Sequence, residues 1–276
     1  MGDVCRDSRH ASRPCQAHER YIRLSRAAAI IARAGLALTV LGALTLVLSG
    51  VGSRWDWWDF RTGFVIFRWT LYGGLVAVVV ALAGLVLALL ARAGRAALLS
   101  LGTLALLAAV AVVPVTHLRA AGRVPPIHDI TTDLDDPPRF VVVLPRRQGA
   151  PNPAEHGGPA LAAQQRAGYP DLAPGRFTAP PDRVFARAVD VARGLGWEIV
   201  AAAPAEGRLE ATDRTRWFGF RDDVVVRVRP DGAGSRVDIR SVSRVGRSDL
   251  GTNARRIRGF LETLRAARPG EAVAPR

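Results

Sequence analysis

Between Arg240 and Ile257 the chain reads RSVSRVGRSDLGTNARRI, a run in which arginine, serine and glycine crowd the approach to an apolar helical pattern. Guanidinium forks match phosphate and carboxylate oxygens in pairs. A helix starting at the end of such a run would add free backbone N–H groups. The candidate ligand-binding residues are Arg240, Ser243, Arg244, Arg247, Ser248, Asp249 and Asn253, joined by Asp222 from a neighbouring strand. Asp249 counts against an anion. A carboxylate in the first helical turn already complements the helix dipole and caps the free amides, with Ser248 as the alternative cap. The structural reading of the same residues is a strand exit, a polar loop and a helix start. We expect that lock first and a binding site second.

Catalysis would have to run through Ser243 or Ser248 with Asp222 or Asp223. A hydroxyl nucleophile needs a base tuned near neutrality. His156 is the last of 5 histidines, there is no lysine, and both cysteines, Cys5 and Cys15, lie near the N-terminus. A Ser-His-Asp triad, a Cys-His pair and a His- or thiolate-ligated zinc are thereby excluded from everything beyond His156. No catalytic residue, metal or cofactor is expected. A carboxylate-based mechanism using Ser, Asp and Arg remains as the enzymatic alternative.

The elements that would position these residues begin at Pro181. Val184, Phe185, Ala188, Val191, Ala192 and Leu195 repeat at helical spacing, and Gly194 and Gly196 end the run. Strands are predicted at 197–202, 207–213, 218–229 and 235–243, followed by a helix on Leu250, Ala254, Ile257, Leu261 and Leu264. The fold class is α+β over 181–268: an antiparallel four-stranded meander flanked by two helices that cover one face. A turn at DGAG that pairs Pro230 with Ser235 sets Val228 opposite Val237 and Val226 opposite Ile239, so the apolar faces agree. The same register sets Arg227 opposite Asp238 as a solvent-side pair, Val224 opposite Ser241, and Asp222 opposite Ser243. A buried Asp222 would need partners, with the hydroxyls, Arg244 and loop amides nearest. Phe218 and Phe220 share the parity of the core valines, whereas Trp217 points the other way and is a contact candidate.

Three uncharged stretches precede this domain, at 34–53, 69–91 and 96–118. Since about 20 apolar residues cross the hydrocarbon core of a bilayer, each is long enough to span. None carries a charged residue, which argues for an anchor rather than a transporter or pump. Gly73, Gly74 and Gly84 would permit close helix packing, and Trp55, Trp57 and Trp58 suit an interfacial belt. Arginine placement puts residues 1–33 in the cytoplasm as a basic tail, and the C-terminal domain in the periplasm. Net charge is +14 at pH 7, carried by arginine alone, and the excess is spread along the chain rather than gathered into a basic arm. Nucleic acid is therefore not an expected partner.

Residues 119–180 read as a proline-rich, partly ordered connector, with one short helix in GPALAAQQRAGYPDL. Asp129, Asp133, Asp135 and Asp136 lack the tight glycine turn of a calcium loop and are expected to be solvated turn residues. Residues 269–276 are expected to be a disordered tail.

GWEIVAAAPAEGRLEATDRTRWFGFRDDVVVRVRP, followed by SRVDIRSVSRVGRSDLGTNARRIRGFL, resembles the bacterial family known as domain of unknown function 1499. Upstream, IHDITTDLDDPPRF and RAGYPDL resemble its membrane-attached members, so the likeness covers residues 125–266. It implies the extent of a domain but neither reaction nor ligand. The expected protein is a multi-pass inner-membrane anchor whose outer domain binds or scaffolds, without catalysis. Beyond the lipid bilayer, its expected partner is an anionic lipid or envelope component, or a protein of a membrane complex.

Overall fold

A computed structural model describes residues 13–267 of the chain. Arg6 and Arg9 of the expected basic tail, and the expected disordered tail at 269–276, lie outside them. The chain divides into two compact units, Met1–Val115 and Thr116–Arg276.

The first unit contains α1 (Arg13–Arg54), α2 (Phe60–Leu90) and most of α3 (Gly94–Ala121). Each has a stretch long and apolar enough to cross a membrane: His18–Arg54, Phe60–Leu90 and Gly94–Arg119. No glycine or proline interrupts residues 15–34, so the arginine-rich segment before the first span is helical and continuous with it. The Asp59 carboxylate caps α2 by accepting from the Arg61 and Thr62 amides at 2.7 and 3.3 Å. Small residues make the helix contacts, among them the buried Ala28, Ala32, Ala77, Ala81 and Ala88. Of the three glycines expected to serve packing, only Gly84 does. A Cβ there would meet Ser100 Oγ at 3.0 Å and the Ala32 amide at 3.2 Å, whereas Gly73 and Gly74 face open space.

In the second unit the four expected strands appear as β3 (Glu198–Ala203), β4 (Arg208–Arg214), β5 (Arg221–Asp231) and β6 (Gly234–Ser243). They form the antiparallel meander, and the register of β5 on β6 pairs Asp222 with Ser243, Val226 with Ile239 and Pro230 with Ser235, as the parity required. Two more strands join the far edge of β6. β1 (Asp129–Thr131) pairs with its C-terminal half and β2 (Gly175–Phe177) with its N-terminal half. At three residues each, they are too short to show an alternation. β1 is completed on its open side by a side chain. Gln165 of α4 (Gly158–Gly168) accepts from the Thr131 amide at 3.0 Å and donates to the Thr131 carbonyl at 2.5 Å, as a neighbouring strand would.

Two helices, α5 (Pro181–Gly194) and α6 (Thr252–Ala266), close one face of the sheet over Leu209, Val224, Val226, Val237 and Ile239. The opposite face is also covered. Phe140 and Val143, from the expected connector, pack on Val225 and Val242. Residues 129–180 are thus not a linker but an integral layer supplying two strands, a helix and a lid on the second face. Their proline content sets the backbone path and says nothing of whether that path is buried. At the other end of the meander, β5 begins at Arg221 rather than 218. Phe218 and Phe220 lie in the β4–β5 turn, stacked on each other at 5.6 Å, and not in the main core.

Gly207 holds the β3–β4 connection at φ 61°, and a Cβ there would fall 2.1 Å from the Val228 carbonyl oxygen. We predict that Gly207→Ala lowers stability by about 1–3 kcal/mol, read as a depressed midpoint when the detergent-solubilised full chain is unfolded thermally.

Candidate functional site

The eight candidate residues do not converge, and side-chain alternation explains why. Asp222 and Ser243 share the helix-side face, while Arg240 and Arg244 project from the other face of β6. Two polar networks result, one on each side of the sheet, and the loop residues Arg247, Ser248 and Asp249 lie beyond both.

On the helix side the centre is Asn253, which is fully buried. Its Nδ2 donates to the His128 carbonyl at 2.8 Å and to Ser243 Oγ at 3.0 Å, while its Oδ1 accepts from Ser241 Oγ at 2.7 Å. Ser243 in turn bonds the Asp222 carboxylate. Arg256 closes the network, donating to Asp222 and Asp213 at 2.7 Å each and to Ser241 Oγ at 3.0 Å. The spacing that turns Leu250, Ala254, Ile257, Leu261 and Leu264 inward is expected to leave Arg255, Arg256 and Arg258 on the wet side of the helix. That is wrong for Arg256, whose side chain is 5% exposed. It holds for Arg255, and Arg258 is half-exposed with a bidentate pair to Asp171 at 2.6 and 2.8 Å. Burial pushes the Asp222 carboxyl above the usual carboxylate range, against the pull of Arg256 and Ser243.

Arg244 does not reach Asp222. It grips Asp223 from the other face, with Nε and Nη2 at 2.9 and 2.8 Å from the two carboxylate oxygens. Asp223 also takes Arg147 Nη1 at 2.5 Å and Thr212 Oγ1 at 2.7 Å, all inside the sheet's second layer. Farther along β6, Arg240 makes a bidentate pair with Asp129 at 2.8 and 2.7 Å, donates to the Pro138 and Ala154 carbonyls, and stacks over Phe140 at 5.3 Å. Both partners are buried. A third cluster gathers Arg227, Arg229 and Arg236 around Asp133 and the fully buried Asp238. The acidic residues expected to be solvated thus divide. Asp129 and Asp133 are buried counter-ions, while Asp135 and Asp136 remain exposed and pair with Arg166 and with Arg227 and Arg229. Arg227 opposite Asp238 is the expected pair, but the residues from 129 onward cover it.

The loop residues complete the lock. The Asp249 carboxylate accepts from the Gly251 and Asn253 amides at 2.8 and 2.7 Å, and Ser248 Oγ from the Leu250 amide at 3.3 Å. Asp249 precedes α6 rather than lying in its first turn, yet it occupies the amides an anion would need. Burial pushes its carboxyl up despite those bonds. Arg247 is exposed and has no ion-pair partner among the described residues. Sequence reasoning missed Asn152, whose Nδ2 clamps the Ser243 and Gly246 carbonyls at 2.9 Å each. It also missed Arg147, Asp223 as an ion-pair hub, and Glu210. The parity of β4 and β5 could have placed Glu210 and Asp223 on one face with Arg240 and Arg244; nothing local announces Arg147 or Asn152.

Three membrane-length helices joined to an α+β domain, with a sheet layered between helices and an ion-paired cover, define the class of protein. Residues 129–264 match the family described as protein of unknown function (DUF1499), and the sheet domain they form belongs to that family. A search of curated proteins found no match. Among solved structures, the crystal structure of TTHA0849 from Thermus thermophilus is similar over 34% of this chain and 95% of that one. At 17% identity and a TM-score of 0.22 that likeness carries no functional argument.

Two predictions follow from the networks. Replacing Asn253 with Ala leaves Ser243, Ser241 and the His128 carbonyl short of a partner, and should cost about 1–3 kcal/mol in chemical unfolding of the full chain. The second concerns pH. Burial pushes the Asp133 carboxyl up, but the Asp136 and Asp135 amides with Arg236 and Arg227 outweigh it and hold the group below the usual carboxylate range. A lowered folded-state pKa adds stability that is complete above the unfolded-state value, about 3.9, and is lost as pH falls through the folded one. The stability gap between wild type and Asp133→Asn should therefore be level above about pH 5 and close on acidification. A gap that stays constant into strong acid would contradict this.

Proposed function

We propose that the protein is a non-enzymatic docking module anchored in a bacterial inner membrane, with its sheet domain in the periplasm gripping a protein partner of a membrane complex. Orientation rests on the arginines that flank the spans, which are denser on the N-terminal side and in the α2–α3 link. An outer-side domain meets no nucleic acid. The hydrolase alternative is disfavoured by Asp222, which is 2% exposed and bound by Arg256. The anion site expected at Arg240 and Arg244 is disfavoured by their internal carboxylates.

The observation that carries the docking reading is the segment from Phe140 to Leu144. Phe140 and Val143 anchor it in the second core, while Val141, Val142 and Leu144 are 53%, 44% and 41% exposed. Exposed aliphatic side chains in a row are usual at contact surfaces when they are held rigidly. Here the buried Glu210 carboxylate holds them. It accepts from the Val141, Val142 and Val143 amides at 2.9, 3.2 and 2.8 Å, and Arg208 neutralises it from the sheet. The knuckle is ordered before any partner arrives, so no loop-ordering cost falls on binding. Arg139 and Arg146 supply a polar rim.

A photo-crosslinking residue at position 142, in the full chain in native membranes, should give a saturable protein adduct of one mass. Adding Leu144→Asp should reduce it at least about tenfold without changing the unfolding midpoint. Recovery of monomer alone would contradict the proposal, as would a C-terminal reporter active only in the cytoplasm.

A further inference from the structure

His156 stands in the turn that leads into α4, and the docking knuckle makes no use of it. The residue is half-buried, and its Nδ1 accepts from the Gly158 amide at 3.2 Å. Gly158 opens α4 at φ 69°, a left-handed conformation that suits glycine. A ring that accepts at Nδ1 carries its proton on Nε2 and is neutral. That Nε2 is buried and meets no hydrogen-bond partner. Imidazolium donates from both nitrogens. A second proton would therefore turn an Nδ1–H against the Gly158 N–H and leave the charge short of acceptors.

The charged groups bearing on the ring come from two strands, Asp129 of β1 and Arg240 of β6. Burial holds the imidazole below its usual value, with Asp129 pulling it up and Arg240 pushing it down. These are the two partners of the bidentate ion pair on the second face. Arg240 also donates to the carbonyl of Ala154, two residues before His156, at 2.8 Å. On its other side in sequence, the ring holds the entry to α4, the helix whose Gln165 closes the open side of β1 at Thr131. The neutral ring thus joins the ion pair to the helix that completes the sheet edge.

We propose that His156 is an acid-sensitive latch: a proton taken up at Nδ1 breaks the bond to the Gly158 amide, loosens the entry of α4 and releases the Gln165 closure of β1. The carboxylate bearing on the charged ring, Asp129, is already held by Arg240, so protonation removes one bond and offers no free replacement. A lowered closed-state pKa fixes the direction. Closure is complete above the ordinary histidine value, about 6.5, and is lost as pH falls from there towards the closed-state value. The latch does not depend on the docking reading.

The test reads amide hydrogen exchange on the detergent-solubilised full chain from about pH 8 to about pH 5, each rate being divided by its intrinsic value. Protection of the Gly158 and Thr131 amides should be level above about pH 7 and fall by up to about tenfold per pH unit below it, as linkage to one proton requires. The Val226 amide, in the middle of the sheet, should stay protected throughout and report that the domain is folded. His156→Asn keeps an acceptor in place of Nδ1 but takes up no proton, so its profile should be flat with pH, whatever its level. In wild type, the loss should track the titration of the one imidazole resonance that the variant lacks. Wild-type protection that does not change with pH would overturn the latch. So would an equal acid loss in the variant, because another group would then be responsible.

Discussion

The pairing of buried guanidinium with buried carboxylate is the constraint on which the domain depends. The charged residues buried in the sheet domain, Asp129, Asp133, Arg147, Glu210, Asp222, Asp223, Asp238 and Arg240, each have an ion-pair partner. Removing one partner strands a charge away from water, whereas replacing both with apolar groups can leave stability unchanged. The networks are therefore better understood as specifying an arrangement than as a source of net stability. They tie residues 129–157 to the second sheet face at two points, where Asp129 meets Arg240 and where Arg147 meets Asp223. A chain whose only strong base is arginine suits that task, since the planar fork makes two parallel bonds where lysine makes a point contact.

This constraint also orders the functional reading. A ligand site needs groups free to bind, and of the arginines that first suggest one, Arg240 and Arg244 are held by carboxylates and carbonyls. What the locked sheet leaves available lies at its periphery. That feature is the aliphatic knuckle held by Glu210. It is rigid because the layer behind it is.

The sequence made the meander legible, down to the pairing of Asp222 with Ser243, because valine alternation and a DGAG turn leave one register that keeps both apolar faces together. It did not reveal the second layer. Alternation reports which face a residue occupies, not whether that face is wet. Glu210, Asp238 and Arg240 fall at positions that would ordinarily face solvent, and the segment that covers them holds few apolar residues. Asp129 lies over a hundred positions from Arg240 in sequence, so nothing local marks the pair. Arg256 was misplaced for a related reason. Its helical position reads as solvent-facing until Asp213 and Asp222 are brought beneath it.

The central claim is that Arg240 is an internal counter-ion and not a ligand-binding group. It is tested most directly by a double-mutant cycle on the full chain with Asp129→Leu and Arg240→Met. The account predicts that each single variant loses about 3–5 kcal/mol of stability while the double variant recovers most of it. If Arg240→Met alone left stability unchanged, the guanidinium would not be needed by Asp129, and the lock would be contradicted.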